Sequence, residues 1–339
     1  MTMPWPAIVL GLISVFTLLG CSPASERQLS DYSTRLQRVA DIDVKQTQPL
    51  DVPALPAARE LLQPLPDIRL DMLDAWATRH CGLDSLIAER NSSLGRVQSH
   101  SLRLHYELRV LNQLEQCVRH DDISPELQQQ LGTIQRQKIA SIEAAWFNML
   151  HAEQTLRQQL HGKSRLLPLA TTEALYETQA ALQQLNQLRT AIFNQQWQDA
   201  TAIDSEAALR VLHRYDTLAV LQYSLRYTAS WMDAINAPLL AIVPAQLCPA
   251  QRASEQLGIL STVFMKFFAE TLQPYFTLHQ RYYLALWPEL EQLYQDSPML
   301  PVLQSRYQHS HQQLLANILR HVGWWQQLNQ QCPVGLTER

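Results

Sequence analysis

The densest group of reactive side chains in this 339-residue chain is Glu89-Arg90-Asn91-Ser92-Ser93. A carboxylate, a guanidinium, an amide and two hydroxyls at one helix end supply a general base, a cation and a nucleophile, the parts of a hydrolase. The same residues also make an ordinary helix C-terminus, with Asn and Ser forming the turn and Arg90 facing the last carbonyls. That structural reading is favoured, and no catalytic residue is named. The eleven histidines do not assemble by spacing. His309 and His311 are two apart and fall on different helix faces, and His151 with Glu153 fails the same test. No H-E-x-x-H, C-x-x-C or G-x-S-x-G motif is present, so no metal site, cofactor or nucleophilic serine is nominated. A Ser/His/Asp set drawn from distant segments stays open. The reading leans away from an enzyme.

Aromatic side chains crowd residues 257–294, among them Phe264, Phe267, Phe268, Tyr275, Phe276, Tyr282, Tyr283, Trp287 and Tyr294, echoed by Trp324-Trp325. One reading is a pocket for an apolar or lipid-like ligand, lined by residues such as Phe268, Tyr283, Trp287 and Trp324. The plainer reading is core between two long helices, because Leu260, Phe264 and Phe267 keep helical spacing. Consecutive pairs such as Tyr282-Tyr283 and Trp324-Trp325 cannot both face one narrow seam, so exposure of some of these rings is expected.

Cys21 closes an uncharged, mostly apolar run, Ala7–Gly20, of fourteen residues. A membrane span needs about 20 apolar residues and a signal-peptide core about 7–15, so the run reads as a cleaved leader. Its end, Leu18-Leu19-Gly20-Cys21, resembles the lipobox of bacterial lipoproteins. The resemblance implies diacylation of the Cys21 sulfur, removal of the leader and acylation of the new amino terminus. Several acyl chains anchor stably where one would not. Ser22, where an Asp would favour retention in the inner membrane, resembles the class sorted to the outer membrane. One feature departs from the pattern: Met1–Pro6 carries no Lys or Arg, and the first basic residue is Arg27. An apolar N-terminal core helix with a buried Cys21 is the alternative.

Apart from Cys21 the chain has four cysteines, Cys81, Cys117, Cys248 and Cys332, an even number that suggests two disulfides in an exported protein. Cys248-Pro249 and Cys332-Pro333 lie in proline-broken segments free to bridge, which leaves Cys81 for Cys117. A simple hairpin turning at Asn91–Gly95 would not bring Cys81 opposite Cys117, so a break at Gly82 or an added crossing is required. The net charge of −4 provides no basic field for nucleic acid. Nine glycines are well below the usual share of about 7%, which disfavours sheets, barrels and phosphate-binding glycine loops.

The elements that must hold these residues are helices. Leu29, Tyr32, Leu36 and Val39 form a narrow stripe, and Pro49, Pro53, Pro56, Pro64 and Pro66 then make an extended connector. Residues 1–20 are read as leader, 21–66 as a lipid-anchored tether, and 67–339 as an all-helical periplasmic domain. Asp67 or Asp71 caps the first helix of the body. Ser124-Pro125 opens a helix whose apolar spacing runs from Leu127 to Leu160. Thr172-Glu173 opens the next, and Asp204 caps one reaching Met232. A long element from Ser254 is expected to kink at Pro274 and break at Pro288, and the last helix runs from about Leu300 to Leu328. The fold class is all-α, a bundle of long, mostly antiparallel helices.

The segment Leu86-Ile87-Ala88-Glu89-Arg90-Asn91-Ser92-Ser93-Leu94-Gly95-Arg96-Val97, between Cys81 and Cys117, resembles an uncharacterised family of bacterial putative lipoproteins, of the domain of unknown function 3080 type. The resemblance implies a cell-envelope protein and supplies no catalytic residues. The expectation is a non-enzymatic scaffold, adaptor or binding protein, held to the membrane by its N-terminal lipid and facing the periplasm, with another envelope protein as a partner. A carrier for an apolar ligand is the second expectation, an envelope hydrolase the third.

Overall fold

The computed structural model describes residues 23–66, 70–95, 97–249, 252 and 254–332. The leader, Cys21, Ser22 and Asp67 lie outside the described residues. No strand occurs among those described, and no described helix is long and apolar enough to cross a membrane.

In chain order the helices are α1 (Ala24–Ala40), α2 (Ala58–Leu61), α3 (Met72–Ala77), α4 (Leu83–Asn91), α5 (His100–Cys117), α6 (Pro125–Ala152), α7 (Gln154–His161), α8 (Glu173–Phe193), α9 (Trp197–Ala202), α10 (Ser205–Arg214), α11 (Thr217–Leu239), α12 (Glu255–Val263), α13 (Gln273–Leu293), α14 (Leu300–Gln304) and α15 (Ser310–Gln331). Asp71, Ser124, Asp204 and Ser254 each accept a hydrogen bond from a first-turn N–H, as their positions demand. The stretch expected to be continuous from Leu127 to Leu160 divides at Glu153, and the one from Asp204 to Met232 divides at Tyr215-Asp216. Apolar spacing survives both breaks, so periodicity alone does not register them.

A π-helical stretch, Phe264–Leu272, joins α12 to α13 just before Pro274. α13 then continues through Pro288 rather than breaking. Proline removes the N–H that would reach the Leu284 carbonyl. Leu284 is 58% exposed, so that carbonyl sits on the wet side of the helix.

Two cores share the α5/α6 hairpin. The main core gathers the long helices from α1 to α15, and the smaller one packs Leu83, Leu86, Val110, Leu114, Leu127 and Leu131 at the far end of the hairpin. The Cys81–Cys117 disulfide lies in the small core (Cα–Cα 5.2 Å), and Cys248–Cys332 ties the segment after α11 to the end of α15 (Cα–Cα 5.8 Å). Gly82 supplies the required break, with a left-handed φ of 76° that brings Cys81 round to α5. Helices joined by short loops, such as α5 and α6, turn back on one another, whereas α12 runs on into α13 and α14 into α15 through π-helical stretches. Two distant pairs instead run parallel: α8 beside α13 (Asn186 to Glu289, Arg189 to Asp296) and α11 beside α15 (Ala229 to Asn317, Asn236 to His321). Short loops dictate antiparallel neighbours only along the sequence.

The expected tether is part of the body. Leu29, Tyr32 and Leu36 of α1 are fully buried, and the Tyr32 hydroxyl donates to Nε2 of His321 at 2.6 Å. The proline-rich connector is strapped down through its main chain. Arg226 donates to the Leu50 carbonyl, Arg306 to Pro53 and Arg157 to Pro56, and Asn148 both donates to and accepts from the Gln63 backbone. The narrow stripe on α1 suits a groove between helices, where its three large side chains leave water completely.

Candidate functional site

Ala24, Glu173 and Thr217 begin α1, α8 and α11, and these helix starts meet around a cavity of about 700 Å³. Its floor is apolar, from Leu166 and Leu167 in the loop after α7, Val220 of α11 and the Tyr282 ring of α13. The loop leaves α7 through Gly162, whose φ is +87° and where a Cβ would come within 2.9 Å of Gln222 Oε1. Three bonds then hold the loop: the Lys163 N–H donates to the Ala219 carbonyl, the Leu167 N–H to Ser224 Oγ, and the Tyr275 hydroxyl to the Leu167 carbonyl.

The mouth is charged. Asp216 pairs with Lys163 and with Arg165, each at 2.5 Å, while Arg214 lines the cavity close to the Tyr215 ring. Burial alone would raise the Asp216 carboxyl, but the Lys163 hydrogen bond and the two cations outweigh it and hold its pKa below the ordinary value. Pro23, Thr172 and Asp216 are the N-cap positions of the three helices, all line the cavity, and none caps its helix through its side chain. Their first turns therefore turn positive dipole ends towards it.

Behind the Leu167 wall lies one of two buried serine–histidine contacts among the described residues, the other being Ser297 with His151 at 2.8 Å. Ser224 Oγ lies 2.8 Å from Nε2 of His279, whose Nδ1 is 2.9 Å from the Tyr275 carbonyl. The orienting group is thus a main-chain carbonyl, and both side chains are wholly buried. Desolvation lowers His279 to about 4, which keeps the ring neutral and makes it a weak base. The pair joins α11 to α13 as a structural contact. A second buried set, Tyr32–His321–Asn236, likewise joins α1, α15 and α11, and desolvation lowers His321 to about 3.

Glu89 pairs with Arg109 at 2.9 Å, Arg90 donates to the Gly95 carbonyl, and Ser92 Oγ donates to the Glu89 carbonyl and accepts from the Gly95 N–H. Asn91 and Ser93 are exposed. The group closes the turn after α4, as the structural reading has it. Phe268, Tyr283, Trp287 and Trp324 are buried and in contact with partners from the chain itself: Phe268 with Tyr32 and His321, Tyr283 with His311, Trp287 with Tyr307, and Trp324 with Trp325 and, through its N–H, the Ile242 carbonyl. The expected exposure of consecutive rings does not occur: Tyr282, Tyr283, Trp324 and Trp325 are all buried. α13 and α15 are covered on several sides, so neither presents only one seam.

A family model described as protein of unknown function (DUF3080) matches residues 29–336. The chain belongs to that family. No curated protein and no solved structure matches it. The matched stretch takes in α1 from Leu29 onward, the strap, both cores and all four bridged cysteines. The cavity's Arg165, Arg214 and Asp216 carry no recognisable sequence signature, since they come from segments some fifty residues apart.

Proposed function

We propose that this protein is a lipid-anchored component of the bacterial cell envelope, facing the periplasm from the outer membrane, and that it acts as a non-enzymatic scaffold or binding protein. The observation that carries the reading is the junction at α1. The packed body begins at Ala24, three residues after Cys21, so an acylated Cys21 holds the body directly on the membrane surface rather than at the end of a free tether. Two disulfides suit an oxidising compartment, and the buried, neutral Ser224–His279 pair favours structure over catalysis.

The test is metabolic labelling with an alkyne palmitate, followed by mass spectrometry of the mature N-terminal peptide. Wild type should carry label on Cys21, Cys21→Ala should carry none, and the labelled protein should sediment with outer membranes. An unlabelled mature wild-type chain overturns the anchor. In-cell photo-crosslinking from the body then tests the scaffold reading, which requires a discrete cross-linked envelope partner.

A further inference from the structure

We infer that the cavity at the starts of α1, α8 and α11 takes one anionic phospholipid of the membrane on which the protein sits, with the phosphate at the charged mouth and the first part of an acyl chain along the floor. The inference deepens the reading of Cys21 as the anchor, since that reading sets which surface the mouth meets.

Three observations converge on this occupant. The cavity joins two chemistries, an apolar floor of Leu166, Leu167 and Val220 and a mouth carrying Arg165 and Arg214. Among the lining residues the mouth has two cations, Arg165 and Arg214, against the single carboxylate of Asp216, an excess of one positive charge, and Lys163 pairs with Asp216 from outside the lining. Glu26 and Glu173 lie in the first turns of α1 and α8 but do not line the space. An excess of cations beside three uncapped helix starts favours a phosphate over a neutral or cationic headgroup.

Position is the second observation. Pro23 lines the cavity and is two residues from Cys21, so their Cα atoms are at most about 7 Å apart. A diacylated Cys21 sits at the headgroup layer, which brings the Pro23 edge of the cavity to that layer. The third is size. A space of about 700 Å³ is within the range of about 300–1,000 Å³ typical of small-molecule sites. The lipid does not have to leave the bilayer, because only its headgroup and the start of one chain enter.

The experiment is native mass spectrometry of the full mature chain in detergent, titrated with phosphatidylglycerol or with phosphatidylcholine. Wild type should retain one phosphatidylglycerol per chain and bind phosphatidylcholine at least ten-fold more weakly. Arg214→Glu, at an exposed residue, should lower phosphatidylglycerol occupancy about ten-fold. Arg165→Glu should lower it less, and Arg320→Glu, which lies outside the cavity, should leave it unchanged. Retention of disulfides and helical circular dichroism by each variant shows that it is folded.

Equal binding of the two lipids, or phosphatidylglycerol binding unaffected by both cavity variants, overturns the inference. So does binding seen only in Cys21→Ala, which would mean that the protein's own acyl chain fills the space. The same spectra separate the two readings. Covalent acyl mass without retained lipid sinks this inference alone, and retained lipid on an unacylated chain sinks only the anchor.

Discussion

The two cores of this protein solve the problem of burial differently. The main core is large enough to close over its own polar groups. His279, His321, Asn236 and Asn317 are wholly buried and all hydrogen-bonded within it. The small core at the end of the α5/α6 hairpin cannot cover itself. Met72 and Leu73 stand 87% and 81% exposed, with Trp76, Leu94 and Val97 also in water. A core of that size buries a smaller fraction of its surface, and it holds a disulfide and a buried ion group. Lys138 reaches Glu107 at 2.6 Å, and Arg103 pairs with the same carboxylate. Each core holds one disulfide, so the difference lies in volume: the large core encloses its polar groups, and the small one leaves large apolar side chains in water.

That contrast can be broken first with acid. Burial lowers His279 to about 4 and His321 to about 3, against an ordinary 6.5. Below pH 6.5 the unfolded chain takes up protons that the folded chain refuses, so stability is complete above 6.5 and is lost as pH falls towards 4. At pH 5 each ring costs about 2 kcal/mol and the two together about 4 kcal/mol. Urea unfolding at pH 7.5 and pH 5 should show the midpoint of the main core falling sharply. An unchanged midpoint would show that these rings are not held neutral.

Removing the Cys81–Cys117 bridge probes the other region. Its loop of 36 residues predicts a loss of about 3–4 kcal/mol for Cys81→Ala with Cys117→Ala. Hydrogen exchange should speed up in α4 and in the second half of α5, while α11 and α15 keep their protection. Equal loss of protection in both regions would show a single cooperative unit.

Smaller effects sharpen the comparison. Tyr32→Phe removes one buried hydrogen bond and should cost about 1 kcal/mol in chemical denaturation, because the Trp325 N–H still reaches Nε2 of His321. Trp76→Ser should change stability by no more than about 0.5 kcal/mol, since that ring is already in water. A larger loss would place Trp76 in the small core after all.

Local chemistry was readable where a few residues decide the outcome. Ser124-Pro125, Asp204 and Ser254 mark helix starts by side-chain bonding alone, and Gly82 marks a break by its backbone freedom. The prolines beside Cys248 and Cys332 suggested one cysteine pair and left Cys81 for Cys117, and both bridges form. Partnership across the chain was not readable. The stripe of Leu29, Tyr32 and Leu36 announces an amphipathic helix but does not name the surface that receives it. Nothing local distinguishes Arg226 and Arg306 as holders of the proline-rich strap, because they grip carbonyls rather than a complementary side chain. The cavity was hidden for the same reason, its lining being drawn from α1, the loop after α7, α8, α10, α11 and α13.

The contact between Tyr32 and His321 spans 289 residues of sequence, and it sets an order in time. Synthesis delivers the N-terminus first, yet α1 has no completed groove until α15 has arrived. The first helix to emerge is therefore among the last to be seated, and the chain must remain open behind α1 until nearly all of it has been made. Such distant closure is slow to form. Variants that weaken α15 should therefore show their defect at the opposite terminus, as an α1 left open to protease.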